Sequence, residues 1–175
     1  MKFFLLLAGW LLATTAVAQD ATSEYGNLLQ RYYSQNDPEL VGKTIVFVNS
    51  TDAPAQQLAP AMRGFFGALF RQKPAIRQAF YARIDEISQP EFKQLFYSLK
   101  NTNLDSLYAH SSPSPALNDM NWSSYFATGE GQYLDYLIRA AGHFDERTDI
   151  NVFVTAGSAL WSLASNARQH PAVHD

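Results

Sequence analysis

The stretch from Leu58 to Phe70 constrains this chain more than any other. Leu58, Ala61, Met62, Phe65, Phe66, Leu69 and Phe70 recur at steps of three and four residues, which places all seven on one face of an α-helix. A stripe that wide and that aromatic is stable only against other apolar surfaces. Phe92, Leu95, Phe96 and Leu99 repeat the pattern, as do Leu134, Leu137, Ile138 and Ala141. With 12 Phe, 9 Tyr and 3 Trp, the aromatic content is read first as core filling, because each such side chain buries a large area.

Helix starts are legible between the stripes. Asp37-Pro38-Glu39 sets a capping side chain before a proline at the first helical position. Ser88-Gln89-Pro90-Glu91 has capping-box spacing, Pro74 opens another helix, and Gly129 and Gly131 mark a turn between two more. Thr44-Ile45-Val46-Phe47-Val48 and Asn151-Val152-Phe153-Val154-Thr155 are β-branched enough to compete as strands. Each lies in a longer helical run without a hairpin partner, so helix is preferred. Ile150–Ala167 is apolar nearly all round, including Leu160, Trp161, Leu163 and Ala164, and this predicts a helix in the middle of the packed domain.

The expected fold class is therefore all-α, built of stacked antiparallel helical hairpins. Tyr33, Phe70, Tyr97 and Phe126 each precede a short polar turn, at spacings of 37, 27 and 29 residues. That range matches degenerate tetratricopeptide-like repeats, although the repeat consensus is not matched and unrelated amphipathic helices would also produce it. Ser111-Ser112-Pro113-Ser114-Pro115 forms a Ser/Pro loop near residues 111–116. The tail from Gln169 is expected to fray.

The N-terminus has the three-part layout of a secretory signal peptide: Lys2, an apolar run from Phe3 to Leu12, then Ala16-Val17-Ala18 before Gln19. The run is about half the ~20 residues a bilayer span needs. Cleavage after Ala18 leaves one domain over residues 19–175, periplasmic or secreted, with no stable membrane anchor. No Cys is present, which excludes disulfides, thiolate metal sites and Cys nucleophiles. Loss of Lys2 leaves 12 basic against 16 acidic residues. Without a basic patch, nucleic acid and anionic membrane are poor partners.

Little in the chain points to chemistry. His143, Asp145 and Glu146 could form a general acid/base group, although a histidine at a helix end is also explained by the helix dipole. His170 and His174 have the spacing of a helical metal pair, but Pro171 lies between them, so both read as solvated tail residues. His110 borders the Ser/Pro loop without an evident partner. Ala156-Gly157-Ser158-Ala159 lacks the second glycine of a nucleophile elbow. Asn101, Asn103 and Asp105 begin a calcium loop that Ser106 and Ser112 fail to complete. No cofactor and no metal are expected. Trp122, Tyr125 and Phe126 concentrate three aromatics after the Ser/Pro loop, as interface anchors do; Trp122 and Phe126, at i and i+4, would equally well face a core.

Trp122-Ser123-Ser124-Tyr125-Phe126-Ala127-Thr128-Gly129 resembles the W-x-x-F-F-A-T-G segment of an uncharacterised family of small exported proteobacterial helical proteins. Leu160 to Pro171 resembles that family's W-S-L-A-S-N-A-x-Q-H-P ending, and Gly64-Phe65-Phe66 with Pro74 is similar to a third segment. The resemblance implies a bacterial source, export and an all-helical domain, and brings no catalytic residue with it. Ser162, Ser165, Asn166 and Gln169 fall within the matched ending; buried, they would need hydrogen-bond partners and would fix the last helix, while exposed they would offer a polar patch. The expected function is a non-catalytic module binding an envelope protein or peptide through a groove or aromatic patch. The alternatives are a small envelope hydrolase with its site near His143, or an accessory protein of envelope stress or toxin neutralisation.

Overall fold

The computed structural model describes residues 23–170; the segment expected to be a signal peptide (1–18) and His174 lie outside the described residues. Among the described residues nine α-helices follow one another: α1 (23–35), α2 (Leu40–Ser50), α3 (Ala55–Gln72), α4 (Pro74–Ala82), α5 (Pro90–Leu99), α6 (Leu104–Ala109), α7 (Pro115–Thr128), α8 (Gln132–Ala141) and α9 (Ile150–Asn166). No strand occurs among the described residues, so the all-α class holds and both β-branched segments are helical. For α9 the reason is local: Asp149 Oδ1 accepts hydrogen bonds from the Asn151 and Val152 amides at 2.8 and 3.3 Å and starts the helix that Val152 and Val154 would resist.

Several other boundaries follow the same physics. Pro74, Pro90 and Pro115 stand at helix starts, where a missing N–H costs nothing. Gly129 ends α7 with φ 73°, a conformation that disfavours any side chain. The capping box at Ser88 does not form. The Ser88 amide and hydroxyl both donate to Asn49 Oδ1, at 2.8 and 3.0 Å, so Ser88 ties the α5 entry to α2.

Helices α3 and α7 form the most extensive interface in the fold. Three helices separate them in sequence, whereas a stacked repeat makes its main contacts between neighbours. One continuous apolar cluster runs from Tyr25 to Ala159. At its centre Phe66 meets Phe65, Phe70, Phe80 and Phe96 with ring centroids 5.1–5.5 Å apart, within the favoured range for aromatic pairs. Helix α1 closes over both central helices, through Tyr32 on Phe65 and Tyr33 on Tyr125.

The sequence pattern placed α9 at the middle of the domain, and this is corrected. The central helix is α7, whose buried residues include Asn118, Asn121 and Ser124 on top of its apolar ones. These polar groups count against burial in hydropathy yet find partners inside: Asn121 Nδ2 donates to Leu117 O at 2.8 Å, and Asn118 Nδ2 to Thr155 O at 2.9 Å, while Asn118 Oδ1 is buried without a partner among the described residues. Helix α9 instead lies at the surface, with only Thr155, Ala156 and Ala159 buried.

The α3–α7 crossing leaves no room for side chains. A Cβ on Gly64 would lie 2.2 Å from the Met120 carbonyl oxygen and 2.8 Å from its Cα. Ser124 Oγ donates to Gly64 O at 2.8 Å. The Tyr108 hydroxyl sits 2.7 Å from Ser124 Oγ and 3.0 Å from Met120 O, sharing its single proton between them. Burial raises the Tyr108 hydroxyl well above its ordinary value, so it stays protonated as a donor. Gly64→Ala should destabilise the fold by roughly 3 kcal/mol, the upper end of overpacking, because the obstacle is backbone. Ser124→Ala should cost about 0.5–1.5 kcal/mol by removing the hydroxyl that joins Gly64 O to Tyr108, since Gly64 O keeps its bond within α3. Urea denaturation of both variants measures this.

Candidate binding surfaces

The aromatic trio predicted as an interface is inside the protein. Trp122, Tyr125 and Phe126 are all buried. The Trp122 ring stacks on Phe126 at 5.4 Å, and its Nε1 donates to Ser162 Oγ at 2.8 Å. Ser162 thereby fastens α9 to α7. Asn166 Nδ2 donates to Ser162 O at 2.9 Å, and Ser165 Oγ to Trp161 O at 2.8 Å, so the polar residues of the last helix bond mainly within it. As aromatic anchors for a partner the trio is unavailable, because a partner cannot reach them without opening the core.

The most exposed aromatic among the described residues is Trp161, at 74% of its full accessibility, with Ile150 at 67%. Val154 and Leu160 are exposed as well. Ile150, Val154 and Trp161 are four and seven residues apart, so they share one face of α9. The helix is largely inverted: its fully buried residues are Thr155, Ala156 and Ala159, while Ile150, Val154, Leu160 and Trp161 face out and Leu163 is half-buried against the core. Small inner residues let α9 approach its neighbours closely, and they leave no volume inside for Trp161. Beside this face Phe144 lies over Gly157, where a Cβ would come within 3.3 Å of the ring. Phe144 stacks on Phe153 at 5.2 Å, and the Arg147 guanidinium covers Phe153 at 4.2 Å, extending the apolar surface across the α8–α9 connection.

The inner edge of α9 borders a cleft of about 360 Å³ lined by Pro113, Tyr136, Arg139, Ala140, His143 and Glu146, together with Val152 and Thr155. His143 Nδ1 and Glu146 Oε1 are 2.6 Å apart, both side chains exposed. The i,i+3 spacing brings this pair together. Asp145 is exposed outside the cleft, so the three predicted residues do not converge. Thr155 lines the same cleft, but no hydroxyl is hydrogen-bonded to the His143 ring, and a nucleophile–base contact is missing. A second compartment of about 440 Å³, bounded by the Ser/Pro loop, shares Pro113, Val152 and Thr155 with the first. Sequence reasoning missed Trp161 as a surface residue; only the i,i+4,i+11 apolar repeat along α9 held a signal for it.

A larger concavity, about 670 Å³, lies between α1, α2 and α4. Tyr25 and Phe47 stack at 4.2 Å there, and its rim cations are occupied: Lys43 pairs with Asp37 at 2.7 Å and Arg83 with Glu86 at 2.7 Å. Among the described residues no group of three or more His, Asp or Glu is placed to hold a metal ion, and no helix is long and apolar enough to cross a membrane. Scans against protein-family models, curated proteins and solved structures returned no match.

His170 is not a solvated tail residue. It is 2% exposed, in contact with the rings of Tyr33, Tyr125 and Phe126 at 5.0–6.1 Å. Its Nδ1 is 3.1 Å from the Tyr33 hydroxyl, and its Nε2 is buried without a partner. Burial, then the positive charge of Arg31, holds the imidazole below its ordinary value, since both disfavour the cation. The unfolded chain, titrating near 6.5, therefore binds more protons than the folded one. The stability His170 contributes is complete above about pH 6.5 and declines as pH falls through the lower folded value. Replacing His170 by Phe should remove that part of the slope, as measured by denaturation at pH values from about 7.5 down to 5.

Proposed function

We propose that this chain is an exported, non-catalytic helical module of the bacterial envelope, periplasmic or secreted, that binds another protein or a peptide through the outer face of α9. The observation that carries this reading is the unpartnered apolar face around Trp161. Burying a side chain of this size against a partner contributes roughly 1.5–3 kcal/mol, so Trp161, Ile150, Val154 and Leu160 together supply enough for a specific interface. An exposed tryptophan at the centre of an apolar patch is the usual hot-spot residue. Export rests on the Lys2 to Ala18 pattern, and a kinship with the small proteobacterial helical proteins rests on the Trp122–Gly129 and Leu160–Pro171 segments.

A second reading, a small envelope hydrolase, draws on the 2.6 Å contact between His143 and Glu146. It is weaker because the imidazole touches no nucleophile and Asp145 lies elsewhere. Hydrolysis of ester and amide substrates that disappears in His143→Ala would favour it.

The binding reading is tested by cross-linking in envelope extract, with the chain from Gln19 beside its Trp161→Ala variant. Because Trp161 is exposed, the substitution should change stability by less than about 0.5 kcal/mol, checked by thermal denaturation. It should weaken retention of the partner by tenfold or more, in line with hot-spot losses of ~2 kcal/mol. Retention equal in both proteins, or no retained protein at all, would overturn the reading.

A further inference from the structure

We propose that the outer face of α9 docks onto a second copy of this chain, the two α9 helices lying antiparallel about a twofold axis at the level of Ala159. The inference rests on the docking role of that face and names its partner. Ile150, Val154, Gly157, Trp161, Ala164 and Arg168 follow one another at steps of four, three, four, three and four residues, the alternation of a coiled-coil seam. The seam is on the solvent side. Ile150, Val154, Trp161, Ala164 and Arg168 are exposed, whereas Thr155, Ala156 and Ala159 turn inward. Its six positions are symmetric about Ala159, so an antiparallel pair sets Trp161 opposite Gly157, Val154 opposite Ala164 and Ile150 opposite Arg168, each twice. Every large apolar residue thereby meets a small one or the aliphatic stem of an arginine. Gly157 brings no side chain of its own; the Phe144 ring lies against it, 3.3 Å from where a Cβ would be, and stacks on Phe153. Trp161 of one copy therefore comes onto Phe144 of the other, an aromatic contact.

The charges at the two ends of α9 favour the same arrangement. From Ile150 to Ala167 the chain carries no charged residue, so the seam holds no like charges to repel its own copy. At the C-terminal end Arg168 is exposed and makes no ion pair among the described residues. At the other end Asp145 and Asp149 are exposed and outside any ion pair, Glu146 sits beside His143, and Arg147 lies over Phe144 and Phe153. That end is acidic on balance, with three carboxylates to one guanidinium. Antiparallel order brings each acidic end to Arg168 of the other copy and opposes the helix dipoles; parallel order would set like ends together. The exposed parts of Ile150, Val154, Leu160 and Trp161 amount to roughly 400 Å² per copy. A pair then buries less than the ~1,200 Å² of a standard interface and belongs to the weak, reversible class, with an expected dissociation constant of about 10⁻⁵–10⁻⁴ M.

The test is sedimentation of the purified chain from Gln19, free of extract, from about 5 µM to about 1 mM, a range that brackets this constant. Its mass should rise from monomer to dimer. Trp161→Ala removes a central side chain from both copies and should raise the dissociation constant about a hundredfold, tenfold for each. Arg168→Glu should raise it a few-fold, at low salt only. Orientation is read by cysteine cross-linking, since the chain has no Cys. Val154→Cys combined with Ala164→Cys should give an interchain disulfide on oxidation, because the two positions meet across the axis. Neither substitution alone should do so, each position lying ~15 Å along the axis from its own mate; the same distance forbids a bridge within one copy. A monomer at every concentration overturns the inference, and the docking role of α9 is then decided separately by the envelope cross-linking above, where retention of a different protein upholds it. A dimer of unchanged affinity in Trp161→Ala places the contact elsewhere and overturns both. Single-cysteine variants that cross-link as fast as the double one overturn the antiparallel pairing.

Discussion

The fold depends on how closely α3 and α7 can approach. At Gly64 the two backbones are in direct contact, and the side chain that glycine lacks would fall on the Met120 carbonyl. Close approach also brings carbonyls already paired within their own helices into reach of hydroxyls from the neighbouring elements. Ser124 and Tyr108 add second hydrogen bonds there, to Gly64 O and Met120 O. The crossing is thus a packed contact and a hydrogen-bonded one at once, and a buried network of this kind specifies a geometry more sharply than apolar packing does. The remaining elements take their places from it: α1 covers both helices, α4 and α5 supply the aromatic floor under Phe66, and α8 and α9 are fastened to the far side of α7.

Helix α9 meets the opposite constraint. Where α7 hides polar residues by giving each of them hydrogen bonds inside, α9 fully buries only Thr155 and two alanines and leaves Trp161, Ile150, Val154 and Leu160 exposed. Inward-facing Ala156 and Ala159 set a short distance to the neighbouring helices, and Trp122 adds one directional tie through Ser162. With the interior filled at that spacing, Trp161 and Ile150 have only the outside left to them. The same inversion creates two faces with different character. The outer one is apolar and open. The inner edge, next to α8, is made of small buried residues and is closed.

Local features of the site could be read from the sequence where they depended on short spacing. His143 and Glu146 meet because residues three apart share a helical side, and Asp145 does not because residues two apart do not. Asn103, Ser114 and Asp149 cap their helices with the side chains such positions favour. Trp122 and Trp161 show where reading stopped. Each sits in an aromatic, helix-forming stretch, and periodicity tells which residues share a face without telling which face turns inward. His170 escaped for a related reason, since its burial comes from Tyr33, 137 residues away in the chain.

What the sequence determined by itself was the list of helices and their ends, because periodicity, proline and capping residues act within a few residues of one another. It also carried the amount of apolar surface that had to be buried. Which helix became the centre was decided only by the tertiary structure. That choice turned on Gly64 meeting Met120, on the internal partners of Asn118, Asn121 and Ser124, and on the small inner face of α9. Each of these is a contact between residues far apart in the chain, set by volume and hydrogen-bond geometry, and neither quantity is encoded in the hydropathy of a single segment.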